Sequence, residues 1–321
     1  MKKWLLMFFV CALAVSGVTA QDAPRSVIVD TDMTSDDWMA ILYLLNRPDF
    51  RVEAITVTGS GFADCDAGVQ VALGLLAFTD YGDVPVSCWQ DAPWRGGEIR
   101  VPAAWRTTLD SIQALELPEG GEPAAVNAVE LFTSTVQAAD APITVLALGP
   151  LTNIAAALEA TPDLVSQIDR MFVMGGAVDA PGSGVSDENT TAEWNIYADP
   201  PAARVVFESG VPITLIGLDA TNDAPVTADV ITQMRDAAQS PDAEFVVELL
   251  SEGSYFWDQL ATAVMTNPEL VTLETRDVTV IDTAGAEDGR TKPVGNGPDI
   301  TVASAPDVEA FYELFIATLN S

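Results

Sequence analysis

Short apolar runs rich in β-branched residues alternate with longer helical stretches along most of this chain, and no internal repeat interrupts them. The alternation predicts a parallel sheet covered on both faces, because a strand buried on both sides reads as a continuous apolar run. Predicted strands cover residues 26–29, 52–57, 84–87, 143–147, 170–174 and 212–216. We therefore expect a single α/β domain with an open, mostly parallel, doubly wound sheet.

The segments between and after these strands carry a helical pattern. Predicted helices cover residues 36–45, 67–78, 124–138, 151–159, 200–208, 228–238, 243–266 and 307–319. Two connections, residues 88–122 and 179–192, are long for a compact domain, and loops of that length commonly bind ligands or cover sites. Open sheets of this kind bind ligands beyond the carboxyl ends of their strands, so we expect a site there.

Residues 1–20 are predicted to be a signal peptide. Lys2 and Lys3 precede an apolar run at residues 4–15, and small residues lead to a cleavage site after Ala20. The apolar run is too short to favour a permanent membrane span. The folded domain is then expected to comprise residues 21–321 and to be secreted or periplasmic.

Two cysteines, Cys65 and Cys88, remain after removal of the predicted signal peptide. An exported protein can oxidise such a pair to a disulfide. The spacing of the two residues equally allows two separate buried thiols, so the sequence leaves their state open.

Acidic residues dominate the composition, with 47 Asp and Glu against 14 Lys and Arg and a net charge of −33. Nucleic acid and anionic membranes are excluded as partners of such a surface, because binding to phosphates needs clustered Lys or Arg. Most of these acids are expected to be solvated on the surface.

Four aspartates, Asp30, Asp32, Asp36 and Asp37, directly follow the first predicted strand. Packing four like charges into one turn is costly unless a cation neutralises them. Calcium suits the cluster, because it takes about six to eight oxygen ligands in flexible geometry. Helix capping explains one or two of the acids but not four. The cluster therefore predicts a Ca²⁺ site at the end of this strand.

The motif Asp-Thr-Asp-Met-Thr at residues 30–34 also matches the opening of haloacid-dehalogenase-type phosphatases, in which the first aspartate, here Asp30, is the nucleophile. Those enzymes need a lysine to hold the phosphoryl group. Lys292, the only lysine outside the predicted signal peptide, lies in a Gly- and Pro-rich stretch near the C-terminus. The pair Asp36-Asp37 also has no role in such an enzyme, which makes this alternative weak.

The pattern Asp-Thr-Asp-x-x-x-Asp-Asp at residues 30–37 strongly resembles the inosine–uridine preferring nucleoside hydrolase family. The resemblance continues in order through residues 148–153, 174–177, 192–200, 218–222 and 257–261. It implies an enzyme that cleaves the N-glycosidic bond of ribonucleosides to free base and ribose, with Ca²⁺ as cofactor. It also implies a homodimer or a homotetramer.

The resemblance implies a metal site and a general base. Asp32, Asp37 and Asp219 would supply carboxylate ligands to Ca²⁺, together with a main-chain carbonyl, that of Leu148 or alternatively that of Thr152. Asp32 would also take a proton from the attacking water, since a hard cation acidifies water and a carboxylate can accept the proton.

Further residues are implied to bind the substrate. Asp36, Glu193 and Asn195 would hydrogen-bond the ribose hydroxyls, and Met174 would pack beneath the sugar. Trp194 would stack on the base. The substrate-binding set is completed by Asn189, Trp257 and Asp219, where Asn189 would replace a Gly-Asn pair that the family usually has in this loop.

The chain departs from the family in containing no histidine. Many members place a histidine beside the last metal-binding aspartate to protonate the departing base, and here the neighbour of Asp219 is Leu218. Tyr255 is expected to donate the proton instead, with Trp257 and Asp258 beside it in the base pocket. The missing histidine motivates a second hypothesis, a nucleoside- or sugar-binding protein with a calcium site and little catalysis.

Overall fold

The computed structural model describes residues 23–79, 81–106 and 117–321, so the predicted signal peptide lies outside the described residues. The described strands form one mixed sheet in the order β3-β2-β1-β4-β5-β6-β9-β7-β8. They are β1 (Arg25–Thr31), β2 (Phe50–Val57), β3 (Val86–Cys88), β4 (Ile143–Ala147), β5 (Ile168–Met174), β6 (Ile213–Ile216), β7 (Thr272–Val280), β8 (Thr291–Pro293) and β9 (Asp299–Ser304).

The predicted fold class is confirmed. Strands β1 to β6 and β9 are parallel, and all six predicted strands are present. Strand β7 runs antiparallel to β9 and to β8 at the far edge of the sheet. The sequence pattern did not predict these three strands. The first half of β7 is exposed and polar, so it lacks the apolar run that marked the others.

Along the chain, helices lie between the strands and after them, and in the fold they pack on the sheet. They are α1 (Ser35–Leu45), α2 (Cys65–Phe78), α3 (Ala103–Arg106), α4 (Ala128–Ala138), α5 (Thr152–Ala160), α6 (Trp194–Ala198), α7 (Pro200–Phe207), α8 (Leu218–Thr221), α9 (Ala228–Ala237), α10 (Pro241–Leu249), α11 (Asp258–Thr266) and α12 (Val308–Leu319). Short 3₁₀ helices occur at Pro162–Gln167 and Pro268–Leu270. None of the helices in the described part of the chain combines the length and the apolar character of a membrane span.

Two apolar cores lie on opposite faces of the sheet. One contains Trp38 of α1 and Phe315 of α12, and the other contains Phe132 of α4 and Phe207 of α7. Helix α1 is buried along almost its whole length. It packs against α11 and α12 as well as against β2, which explains why apolar residues occupy nearly every side of it.

The prediction of one helix over residues 243–266 is wrong. The chain forms α10 and α11, separated by residues 250–257, in which Gly253 has a φ of 89°. That left-handed conformation suits glycine and ends a helical path. The amide of Phe256 donates to the carbonyl of Ala224 at 2.9 Å, so this loop pairs with the segment before α9 instead of continuing a helix.

The sulfurs of Cys65 and Cys88 form a disulfide, which resolves the alternative that the sequence left open. The bond joins the first residue of α2 to the last residue of β3. Both elements lie next to the carboxyl end of β2. The disulfide therefore joins two segments beside the carboxyl end of β2, next to the site described below.

Candidate active site

The acidic turn at residues 30–37 joins β1 to α1, and backbone geometry fixes its shape. Met33 has a φ of 58°, and its carbonyl accepts a hydrogen bond from the indole of Trp38 at 2.9 Å. The amide of Thr34 donates to Asp37 at 2.8 Å, and the hydroxyl of Thr31 also donates to Asp37. Asp37 thus takes part in capping α1. Its carboxylate is also fully buried and lies among other acids, so it could serve as a metal ligand as well.

Helix α11 brings a further acid, Asp258, to this turn. Asp36, Asp37 and Asp258 each offer a carboxylate oxygen, and the three oxygens lie within 4.8 Å of one another. Asp258 is 2% exposed, and its Oδ1 atom has no hydrogen-bond partner among the described residues. Burial raises the pKa of Asp258 well above its usual value, and the charges of Asp37, Asp36 and Asp32 raise it further.

This donor set fits a metal ion. A buried carboxylate oxygen without a partner is costly, and three clustered carboxylates repel one another unless a cation lies between them. All the available atoms are oxygens, which are the ligands that hard cations such as Ca²⁺ and Mg²⁺ prefer. The acidic cluster is therefore a candidate metal centre.

Asp32 lies beside the cluster and faces the pocket. One of its carboxylate oxygens accepts a hydrogen bond from the amide of Phe62 at 3.0 Å. Burial raises the pKa of Asp32 well above its usual value, and the negative charge of Asp37 raises it further. The hydrogen bond from the Phe62 amide acts in the opposite direction and lowers it. An added Cβ at Gly61 would overlap the Asp32 carboxylate, so this position requires glycine for the turn to pack so closely.

Asp30 is separated from the pocket. It is fully buried and accepts hydrogen bonds from Thr56 at 2.6 Å and from Asn153 at 2.9 Å. Burial raises the pKa of Asp30 to about 7. Asp30 is absent from the pocket lining, so it is not placed to act as the nucleophile that the phosphatase alternative requires.

A cavity of about 580 Å³ opens above the acidic turn. It lies beyond the carboxyl ends of the parallel strands, where the fold class predicts a ligand site. Its walls divide into an acidic side, a polar side and an aromatic side. The lining residues are Asp32, Thr34, Ser35, Asp36, Phe62, Trp105, Leu148, Met174, Pro181, Gly182, Ser183, Glu193, Trp194, Asn195, Leu218, Asn222, Tyr255, Trp257 and Asp258.

The polar side of the cavity is held rigidly by hydrogen bonds. The carboxylate of Glu193 accepts the amides of Gly176 and Asn195, each at 2.9 Å, and burial raises its pKa. The side-chain amide of Asn195 donates to the carbonyl of Leu148 at 2.9 Å and to that of Met174 at 3.2 Å. These residues present carboxylate oxygens and a side-chain amide oxygen in fixed positions, which suits recognition of a polyol.

The aromatic side consists of two groups of rings. Trp105 stacks on Phe62 with ring centres 5.8 Å apart, and its ring meets Trp194 edge to face at 5.0 Å. Tyr255 and Trp257 form the second group, with centres 5.9 Å apart. Such faces can bind the π-system of a planar ring. The structure thus gives one cavity that combines carboxylates, polyol-binding groups and aromatic surfaces.

The structure does not bring Asp219 into this cavity or into the acidic cluster. Its carboxylate accepts the backbone amides of Val178 and Asp179 at 2.7 Å and of Ala180 at 3.0 Å. A carboxylate saturated by three amides braces the loop it touches. Asp219, which was expected to ligate the metal and to bind substrate, thus lies outside the acidic cluster and the cavity lining, and Asp258 is the acid that joins Asp36 and Asp37 in the cluster.

Two other expected positions also lie outside the cavity lining. The side-chain oxygen of Asn189 accepts the amides of Thr191 and Ala192, and its nitrogen donates to the carbonyl of Asp288 at 2.7 Å. Asn189 therefore shapes its own loop. Thr152, the alternative to Leu148 as a carbonyl ligand, is likewise absent from the lining, whereas Leu148 is present.

The remaining expected residues, Asp32, Asp36, Met174, Glu193, Trp194, Asn195, Tyr255 and Trp257, all line the cavity. Sequence reasoning did not assign roles to Phe62, Asn222 or the rim at residues 181–183. It placed Asp258 in the base pocket, not with the metal-binding acids. One sequence feature could have indicated the role of Asp258 in the cluster: it stands at the start of an apolar helix, as Asp36 and Asp37 do.

Comparison with known proteins decides the family. The inosine-uridine preferring nucleoside hydrolase family matches residues 27–313. The chain belongs to this family. The protein is accordingly a hydrolase of the N-glycosidic bond of nucleosides, and its substrate is a small molecule. The family is metal-dependent, and this chain has an acidic cluster of the kind that holds a metal ion.

Individual relatives support the same conclusion. The pyrimidine-specific ribonucleoside hydrolase RihA of Shewanella sp. (strain MR-7) is 31% identical to this nucleoside hydrolase over 328 residues, which cover 92% of this chain and 96% of that protein. RihA of Salmonella schwarzengrund (strain CVM19633) is 30% identical and covers 92% and 98%.

Solved structures show the same architecture. The inosine-uridine preferring nucleoside hydrolase from Bacillus anthracis superposes with a TM-score of 0.84 at 23% identity, covering 92% of this chain and 99% of that one. The purine-preferring ribonucleoside hydrolase from Gardnerella vaginalis gives a TM-score of 0.80 at 27% identity, with coverage of 92% and 98%. The fold of this nucleoside hydrolase is thus the fold of its family.

Proposed function

We propose that the protein hydrolyses ribonucleosides to free base and ribose with Ca²⁺ held by Asp37 and Asp258 of the acidic cluster, by Asp32 beside it and by the main-chain carbonyl of Leu148, and we assign Asp36, the third member of the cluster, to the ribose. The observation that carries this proposal is the acidic cluster, in which Asp258 has a buried oxygen with no hydrogen-bond partner in the described part of the chain. Calcium is favoured over smaller cations because its flexible coordination suits carboxylates that are also used for helix capping.

The ion, when bound, activates a water by lowering its pKa and provides a fixed anchor for ribose hydroxyls. Asp32 accepts the proton of the attacking water. Its carboxylate suits this role because it faces the cavity and has one oxygen fixed by the Phe62 amide, which leaves the other oxygen for the water. A base held in one orientation avoids the entropic cost of finding it during the reaction.

The ribose is proposed to bind between the acidic turn and the polar side of the cavity. Asp36 and Glu193 accept hydrogen bonds from hydroxyls, Asn195 accepts one through its side-chain oxygen from the same side, and Met174 supports the sugar from below. Each of these side chains lines the cavity. Negative charge on Asp36 and Glu193 also stabilises the positive charge that develops on the sugar as the glycosidic bond breaks.

Departure of the base is the step for which this chain lacks a histidine. We propose that Tyr255 donates a proton to the base and that Trp194 and Trp257 contact its faces. Tyr255 lies in the loop that pairs with residues 224–226 and lines the cavity beside Trp257. The relatives named as pyrimidine-specific make uridine and cytidine the first substrates to test.

We also propose that the protein is exported after cleavage near Ala20. The charged and apolar pattern of the N-terminus supports this, and so does the Cys65–Cys88 disulfide, because disulfides persist in oxidising compartments. Cell fractionation and the N-terminal mass of the purified protein test it. A homodimer or homotetramer is proposed from the family resemblance, and sedimentation analysis of the purified protein tests it.

The function is tested by release of free ribose from uridine, cytidine, inosine and adenosine, with and without a chelator. The wild type is compared with Asp32→Asn, which keeps the size of the side chain and removes its basicity. Ribose that requires both Ca²⁺ and Asp32 supports the proposal. Nucleoside binding without ribose release would favour the binding-protein hypothesis instead.

A further inference from the structure

The turn at residues 59–62 determines where Asp32 lies. This turn follows β2, and Phe62 donates its amide to the Asp32 carboxylate while the amide of Ala63 donates to the Asp32 carbonyl, both at 3.0 Å. Gly61 packs so closely on Asp32 that a side chain there would collide with it. A shift of this turn would therefore move the group that we propose as general base.

Arg106 holds the opposite side of that turn. One of its guanidinium nitrogens donates to the carbonyl of Gly59 at 3.0 Å and also to that of Gly61. Another guanidinium nitrogen lies 3.6 Å from Asp91. The Arg106 side chain is only 13% exposed, so these contacts replace most of its hydration. The planar guanidinium can satisfy several acceptors at fixed angles, which makes it a rigid connection.

The acceptor Asp91 is itself tied to the same region. Its carboxylate accepts the amide of Cys65 at 2.7 Å, at the start of α2 and at one end of the disulfide. A side chain at Gly59 would meet both Asp91 and Cys65. The turn is thus enclosed between Asp32 on one side and the Arg106–Asp91 pair with the disulfide on the other.

Trp105, the residue before Arg106, belongs to the aromatic side of the cavity. Trp105 belongs to the same short helix, stacks on Phe62 with an interplanar angle of 7° and meets the ring of Trp194. Trp105 is 44% exposed and lines the cavity. Since Arg106 fixes α3 to the turn, it sets the position of Trp105 and of Phe62 together.

We propose that Arg106 is a positioning residue of the hydrolase. Through the turn at residues 59–62 it fixes both Asp32 and the stacked pair of Phe62 and Trp105 on the aromatic side of the cavity. Arg106 does not line the cavity, so it acts through these groups and not on the substrate. The inference rests on the proposed function in that Asp32 is the general base. Removal of the guanidinium lets the turn move, which weakens the chemical step and the binding of the base.

The test compares Arg106→Ala and Arg106→Lys with wild type, with Arg51→Ala as matched control. Arg51 also carries a guanidinium, but it lies near the start of β2, away from the turn at residues 59–62, pairs with Glu53 and is 64% exposed. For each variant, kcat and KM for uridine, uridine affinity by calorimetry and the thermal midpoint are measured in saturating Ca²⁺.

Arg106→Ala is expected to lower kcat by about ten- to a hundred-fold, because small misplacements of reacting groups have effects of that size. Its KM is expected to rise and its uridine affinity to fall, since Trp105 and Phe62 lose their fixed positions. Arg106→Lys should recover part of kcat, because an ammonium can still donate to the carbonyls of the turn. Arg51→Ala should match wild type.

Equal kcat in Arg106→Ala and Arg51→Ala would overturn the inference, as would losses that vanish when the rates are corrected for the folded fraction. The Asp32→Asn variant separates the two proposals. Full activity of Asp32→Asn overturns the proposed base, whereas an inactive Asp32→Asn beside a fully active Arg106→Ala overturns only the role of Arg106. If wild type released no ribose, uridine affinity would decide, and equal affinity in Arg106→Ala and Arg51→Ala would overturn the inference.

Discussion

Carboxylate oxygens of Asp37 and Asp258 lie within 4.8 Å of each other, although one residue follows the first strand and the other begins α11. The packing of α1 against α11 brings them together. Neither residue alone would form a metal site, since each has only one carboxylate to offer. Their approach across two helices is the structural basis of the proposed metal centre, and it leads directly to a test.

Asp258→Asn is expected to abolish Ca²⁺-dependent activity at ordinary Ca²⁺ concentrations. Loss of a ligand that contacts the ion should weaken metal affinity by more than the roughly ten- to hundred-fold typical of an outer-shell partner. Calorimetric titration with Ca²⁺ measures this affinity, and ribose release measures the activity that accompanies it.

Asp219→Asn is the matched control, because it removes the same charge from an aspartate that braces a loop. Metal affinity should be unchanged, whereas KM should rise by about three- to tenfold as the rim at residues 181–183 loosens, an effect of about 1 kcal/mol. Loss of Ca²⁺ binding in Asp219→Asn with retention in Asp258→Asn would contradict the assignment.

The stability of the metal-free protein should fall as the pH rises. Burial raises the pKa of Asp30 and, together with the charge of Asp37, that of Asp36 from 3.8 to about 7. These carboxyls bind protons more tightly in the folded than in the unfolded state. Their contribution to stability is therefore complete below about pH 4 and is lost as the pH rises through about 7.

Thermal midpoints in chelator at pH 5 and pH 8 measure this dependence, with an expected decrease of at least about 4 °C at pH 8. Added Ca²⁺ should raise the midpoint more at pH 8 than at pH 5, because protons compete with the ion. Asp36→Asn should show a smaller pH effect in chelator. A midpoint that rises from pH 5 to pH 8 without metal would contradict the prediction.

Tyr255→Phe tests protonation of the leaving base. The variant keeps the ring and removes the hydroxyl, so kcat for uridine should fall by about a hundred-fold, the scale of a lost general acid. Hydrolysis of p-nitrophenyl riboside should change little, because nitrophenolate leaves without a proton. Equal losses on both substrates would show that Tyr255 shapes the pocket and does not supply the proton.

Removal of the disulfide should lower the free energy of unfolding. Cys65 and Cys88 are separated by 23 residues, and closure of a loop of that size contributes about 3 kcal/mol. The double variant Cys65→Ala/Cys88→Ala should show this loss in urea denaturation and no response to reductant. Wild type should lose a similar amount on reduction. Insensitivity of wild type to reductant would contradict the prediction.

Much of the fold could be predicted because its strands are buried on both faces. Continuous apolar runs marked six parallel strands, and the acids after β1 stood where the strand ends meet. Strands β7 to β9 lacked that signal, and in β7 the first four residues are exposed. The break between α10 and α11 depends on Gly253 and on backbone pairing with residues 224–226, which a local helical pattern does not contain.

The site was harder to predict where it depends on packing between distant elements. Asp219 and Asp258 both belong to segments resembling the family, and Asp219 has the more suggestive context, directly after a parallel strand. In the structure the amides at residues 178–180 saturate Asp219, whereas one oxygen of Asp258, beside Asp37, accepts no hydrogen bond from any residue that the structure describes. Which aspartate is left free is a property of the folded chain.

The proximity of Asp37 and Asp258 has a consequence during protein synthesis. About 220 residues separate the two positions, so most of the chain must be made before both proposed ligands exist. They become neighbours only after α11 docks on α1. High-affinity uptake of the ion would then report that the chain has been made and correctly packed as far as α11, and fragments that end before α11 would remain metal-free and inactive.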